Sequence, residues 1–75
     1  MTNYAKRIRD IREDRDITQQ AIARVLKTTQ SQYGKIELGK RKISAEEIIT
    51  LCKLYDLSAD YILGLTDEPK RLPKK

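Results

Sequence analysis

TTQSQYGKIELG, residues 28–39, holds a helix start, a two-faced helix and a glycine stop in one short run. Thr28 and Thr29 carry hydroxyls of the kind that accept hydrogen bonds from the orphan N–H groups at a helix start. Gly39 suits the left-handed turn that closes a helix. At helical spacing Gln30, Ser31, Gly34 and Lys35 share one side, and Tyr33, Ile36 and Glu37 share another. The second side is expected to pack. The first presents amides, a hydroxyl and a cation.

The same punctuation along the chain marks out five helices and no convincing strand, so the expected fold class is all-α. A first helix is predicted from about Asn3 to Asp14, with Tyr4, Ile8 and Ile11 at i, i+4 and i+7. Thr18 caps a second, which runs through QQAIARVL with Ile22, Val25 and Leu26 apolar. The connection to the third helix, holding Lys27 and Thr28, is very short, so the second and third helices must meet at a sharp angle. Ser44 and Glu47 have capping-box spacing before a fourth helix, about Ala45 to Tyr55. Its stripe is Ile48, Leu51, Cys52 and Tyr55. Ser58 caps a short fifth helix, ADYIL, closed by Gly64. Residues 1–65 are expected to form the domain, and the segment TDEPKRLPKK, residues 66–75, a flexible basic tail.

The chain has 75 residues, 36% of them charged, which fits one small soluble domain. Its net charge of +5 is unevenly spread. Residues 24–42 carry Arg24, Lys27, Lys35, Lys40, Arg41 and Lys42 against Glu37 alone, whereas residues 43–69 carry Lys53 against six acidic residues. A basic middle beside an acidic block orients a polyanion toward residues 24–42. No apolar run approaches the ~20 residues that cross a bilayer. The start MTNYAKRIRD has no apolar leader, and a lone cysteine, Cys52, reads as a small buried residue in a reducing compartment. A cytoplasmic location away from membranes is therefore expected.

Enzymatic chemistry finds little support. The chain has no histidine, one cysteine and three isolated glycines, Gly34, Gly39 and Gly64. The commonest general base, a thiolate zinc site and a glycine-rich phosphate loop are thus all missing. No catalytic residue, metal or cofactor is expected. Two capped helices joined by a short turn instead form the helix-turn-helix plan, whose second helix enters the DNA major groove. Amides, hydroxyls and cations at the exposed positions of that helix are the groups that read base edges there. Gln19 and Gln30 sit at helix starts, where backbone N–H groups meet phosphate.

IRDIRED (8–14), ITQQAIARVL (17–26), TTQSQYGKIELGKRKIS (28–44) and LCKLYDLSADYILGL (51–65) in this order closely resemble the Cro and cI type helix-turn-helix domain. This is the family of lambdoid phage repressors and Xre-like regulators. The resemblance covers about residues 4–65. It is most specific at Thr18–Gln19, at Ile36–Arg41 and in the closing SADYILGL. It implies a compact five-helix, lambda-repressor-like domain that binds double-stranded DNA. By position, it implies base reading by Gln30, Ser31 and Lys35, with Gln32 and Gly34 at the edge of that face touching base or phosphate. Gln19 resembles the glutamine that contacts a phosphate and braces Gln30, and Lys40 and Arg41 resemble the loop gripping the backbone. Arg12 and Glu37 align with a pair that locks the third helix to the first. Tyr33 stands where the family has Ile or Val, which favours core packing over base stacking. Gly34 costs its helix about 0.5–1 kcal/mol relative to alanine, either for close approach to the groove or by simple tolerance.

The function expected is that of a transcriptional regulator, most often a repressor in this family, binding a palindromic operator as a homodimer. Ile49, Leu54, Tyr61, Leu63 and Leu65 exceed what one core needs and are the expected dimer patch, unless they fill the core. The alternative is an antitoxin that neutralises a protein partner and also binds its own promoter. A weaker third reading is an RNA-binding or architectural protein.

Overall fold

The computed structural model describes residues 4–72, and five helices account for their regular structure: α1 (Tyr4–Asp14), α2 (Gln19–Val25), α3 (Gln30–Glu37), α4 (Ala45–Tyr55) and α5 (Ala59–Ile62). Among the described residues there is no strand, in line with the all-α reading. Asn3, placed at the head of α1 by its sequence, lies outside them.

The helix starts follow the side chains. Thr18, Thr29, Ser44 and Ser58 each sit in extended backbone and accept a hydrogen bond from the N–H three residues on. At Ser44 the box is complete, because Glu47 reaches back to the Ser44 N–H at 2.9 Å. Of the two threonines before α3, Thr29 is the cap. Thr28 serves the preceding helix, its N–H bonded to the Ala23 carbonyl at 2.9 Å.

The helix ends follow one backbone rule. Asp16, Lys27, Gly39, Asp56 and Gly64 all have positive φ and stand at or just beyond the ends of α1 to α5 in turn. At Lys27 the N–H bonds to the Arg24 carbonyl while the next N–H bonds to Ala23, satisfying two carbonyls that a helix end leaves open. Gly39 and Lys40 repeat the arrangement on Ile36 and Lys35.

One core joins the helices. Ile8, Ile22, Tyr33, Ile36, Leu51 and Ile62 are fully buried, with Ile11, Ala23, Cys52, Tyr55 and Leu57 around them. Burial raises the Cys52 thiol above its ordinary range, so it stays protonated and packs as an apolar group. Against this core α3 lies on both α2 and α1, while α5 rests on α4 and α1. The Ile43 N–H also donates to the Tyr4 hydroxyl at 3.4 Å, tying the approach to α4 onto α1.

Residues 66–72, read from sequence as part of a flexible basic tail, return along the domain. Arg7 of α1 holds them: its guanidinium lies 4.3 Å over the Tyr61 ring, donates to the carbonyls of Tyr61 and Thr66, and meets Asp67 at 2.7 Å. Farther on, the Ser58 N–H donates to the Lys70 carbonyl at 2.7 Å, Arg71 pairs with Asp56 at 2.6 Å, and Leu72 packs against the core. Composition alone hides this, because a polar, proline-bearing segment is held by partners far away in sequence. Residues 73–75 of the expected tail lie outside the described residues.

Candidate nucleic-acid interface

The left-handed turn at Lys27 swings the chain so that α3 crosses α2, and the apolar stripe Tyr33–Ile36 pins α3 to the core. The opposite side of α3 is left facing outward. There an open groove is lined by Gln19, Gln30, Ser31, Gly34, Lys35, Leu38 and Lys40. It brings together from α2, α3 and the following loop groups that accept, donate and carry positive charge. Such a set can hydrogen-bond base edges and neutralise phosphates.

Beneath this groove lies a buried polar pair. Arg12 of α1 meets the Glu37 carboxylate of α3 through two bonds, Nε to Oε2 at 2.6 Å and Nη2 to Oε1 at 3.1 Å. Arg12 also donates to the Ile17 carbonyl at 2.7 Å, so one guanidinium fastens α1, the α1–α2 connection and α3. Glu37 receives a further bond at Oε1 from the Gln19 side-chain NH2 at 3.0 Å. Only 2% of the Glu37 side chain is exposed. Burial pushes its carboxyl up, but the Arg12 guanidinium, the neighbouring Tyr33 hydroxyl and the Gln19 amide together bring it below the ordinary carboxylate value. Tyr33 answers in kind: burial first, then the Glu37 carboxylate, drive its phenol far above the usual range. Tyr55, buried nearby, is pushed up to about 12 by burial.

The residues singled out by sequence divide on this geometry. Gln30, Ser31, Gly34 and Lys35 line the groove, joined by Gln19 and Lys40. Gln32 does not; it is half-buried, and its N–H closes the Thr29 cap at 3.1 Å. Gln19, which by resemblance contacts a phosphate and braces Gln30, bonds its NH2 to Glu37. Arg41 lies apart from the groove, in a two-bond bridge to Glu47 with both contacts at 3.2 Å. That bridge and the Ser44 cap outweigh the upward push of burial on Glu47 and lower its carboxyl. Of the five apolar residues considered for a dimer, Ile49, Leu54 and Leu65 are exposed, whereas Tyr61 and Leu63 are half-buried and Tyr61 lies under Arg7.

Two residues of this surface escape a reading by motif. Leu38 caps the end of α3 and is 68% exposed on the groove wall, on the side that helical spacing from Gly34 and Lys35 gives it, but an apolar residue there matches no polar reading motif. Arg24 stands with Gln20, Ala23 and Thr28 around a smaller hollow on the other side of Gln30. The run of basic residues from Arg24 onward was its only signal.

No group of three or more histidine, cysteine, aspartate or glutamate side chains is placed to hold a metal among the described residues. No helix among them is long and apolar enough to cross a membrane.

Two helices at a capped, left-handed turn, the second with a packed side and a polar side, define a helix-turn-helix protein. The chain belongs to the helix-turn-helix domain family, whose pattern it matches over residues 5–68. It is 38% identical over 66 residues to the uncharacterized HTH-type transcriptional regulator YobD of Bacillus subtilis (strain 168), covering 88% of this chain and 59% of that protein. It is 33% identical over 61 residues to the HTH-type transcriptional regulator PrpR of Mycobacterium tuberculosis, covering 81% of this chain and 13% of that protein. The chain thus spans about three fifths of the length of the first relative and about an eighth of the second. No solved structure matches it significantly.

Proposed function

We propose that the chain is a sequence-specific, double-stranded-DNA-binding transcriptional regulator that represses by occupying a palindromic operator as a homodimer. In this reading α3 enters the major groove, Gln30, Ser31 and Lys35 face base edges, and Lys40 takes a phosphate. The observation that carries it is the outward groove along α3, whose amide, hydroxyl and ammonium groups stand on a helix anchored from behind by Tyr33, Ile36 and Glu37. Both relatives named above are HTH-type transcriptional regulators, which supports the regulatory part of the reading. The exposed Ile49, Leu54 and Leu65 support a second copy as partner, since large apolar groups left in water favour burial.

Selection of bound duplexes from a random pool tests this directly. The expected outcome is a palindrome whose half-sites lie about one helical turn apart, on the order of 34–36 Å. Sedimentation of the protein–DNA complex should give two chains per duplex. Retention of all duplexes alike would reject sequence reading, and a single isolated half-site would reject the dimer.

A further inference from the structure

The bond from the Gln19 NH2 to Glu37 fixes which end of the Gln19 amide faces the groove. A carboxylate only accepts hydrogen bonds, so Glu37 takes the amide nitrogen and turns the oxygen the other way. That oxygen lies 3.6 Å from the point where a side chain on Gly34 would begin, on the groove side of α3. Glu37 itself cannot rotate freely, because Arg12 grips both of its oxygens. The chain of contacts from Arg12 to Glu37 to Gln19 therefore ends in a carbonyl oxygen at the groove.

We propose that Glu37 is a positioning residue for sequence preference: it locks the Gln19 amide so that its oxygen accepts a hydrogen bond from an exocyclic amino group of DNA. Adenine and cytosine carry such a group in the major groove, whereas thymine and guanine present oxygens at the corresponding edge. Gln19 then reads a base rather than only holding a phosphate. Gly34 belongs to the same device, because its missing side chain leaves the Gln19 oxygen approachable. The inference rests on the DNA-reading function proposed above.

The test is duplex selection with the full chain and with the Gln19→Ala and Glu37→Gln variants. Thermal melting of each establishes that it folds. The full chain should enrich adenine or cytosine at one position of each half-site. Gln19→Ala should flatten that position by about fivefold, the weight of one hydrogen bond, and leave the others unchanged. Glu37→Gln can offer its own NH2 to Gln19, which turns the Gln19 nitrogen outward and shifts the preference toward thymine or guanine. In the free protein, the Gln19 side-chain amide protons should exchange with water more slowly than those of the exposed Gln20, and lose that protection in Glu37→Gln.

A uniform loss of affinity in Gln19→Ala across all duplexes would overturn the proposal, as would a folded Glu37→Gln with unaltered preference. Should Glu37→Gln not fold, Gln19→Ala and the exchange measurement on the full chain decide the matter. A full chain that enriches no duplex overturns the DNA-reading function and this inference together. A clear consensus indifferent to Gln19 overturns this inference alone.

Discussion

Arg12 and Glu37, 25 positions apart, are joined by two hydrogen bonds across the α1–α3 contact, with both side chains largely withdrawn from water. A buried pair of this kind adds little over a well-packed apolar pair, but breaking it strands a charge. Arg12→Ala should destabilise the domain by about 3–5 kcal/mol. A double replacement of Arg12 and Glu37 by methionine should cost less than Arg12→Ala alone. Urea denaturation of both proteins distinguishes the cases; equal losses would mean that the charges do not act as a unit.

Acid should weaken the fold through the same carboxylate. Glu37 and Glu47 are both held below their ordinary value of 4.5, so the folded protein binds fewer protons there than the unfolded chain does. Their contribution is fully present above that value and is lost as pH falls through the lower folded values. The urea midpoint should therefore be level near neutrality and drop below about pH 5. Replacing Glu47 by glutamine should lower the plateau and shallow the acid limb. An acid limb unchanged by that replacement would assign the loss to other groups.

Three backbone positions give opposite signs for one kind of exchange. A Gly34 side chain would meet only the Gln19 oxygen at 3.6 Å, an ordinary contact. Gly34→Ala should thus stabilise the fold by about 0.5–1 kcal/mol while weakening DNA binding, since its methyl enters the groove. Gly39 has φ of +76°, so Gly39→Ala should destabilise despite the open space around it. Lys27, at φ of 59°, is the reverse case, and Lys27→Gly should gain about 1 kcal/mol. Melting curves read all three; a stabilised Gly34→Ala that binds DNA normally would leave that glycine without a role at the groove.

Lys40 and Arg41 are neighbours in sequence and differ in surroundings. Lys40 stands at the groove, whereas Arg41 is bridged to Glu47. Lys40→Ala should weaken binding to all duplexes alike and reduce the salt slope by about one. Arg41→Ala should instead lower stability and change the slope less. Binding isotherms over a salt series, with melting curves beside them, separate the two; identical slopes would return Arg41 to the backbone contact.

Which of these relationships a sequence reveals depends on how far the partners are apart. Capping is local, so Thr18, Thr29, Ser44 and Ser58 mark the helix starts by residue type, and Gly39 and Gly64 mark two ends. Asp16 and Asp56 close helices in the same left-handed conformation without the glycine signal. Arg41 and Glu47 are six apart, a spacing that no helix or hairpin rule pairs, and the loop between them brings them together. Arg7 reaches Tyr61 and Thr66 across 54 and 59 positions, which only the packing of α1 on α5 supplies. For the groove, the polar positions of α3 follow from helical periodicity, but the sense of the Gln19 amide follows from Glu37, 18 positions away on another helix.

The returning segment 66–72 has a bearing on how this protein is measured. Two of its anchors are ion pairs at the surface, Arg7 with Asp67 and Arg71 with Asp56, and the Asp67 and Arg71 side chains are 96% and 80% exposed. Added salt screens such pairs. The plot of affinity against salt that counts displaced counterions will then carry a second component, from loosening within the protein. Melting curves of the free protein over the same salt series provide the correction: they measure the loosening alone, and what remains of the slope belongs to phosphate contacts.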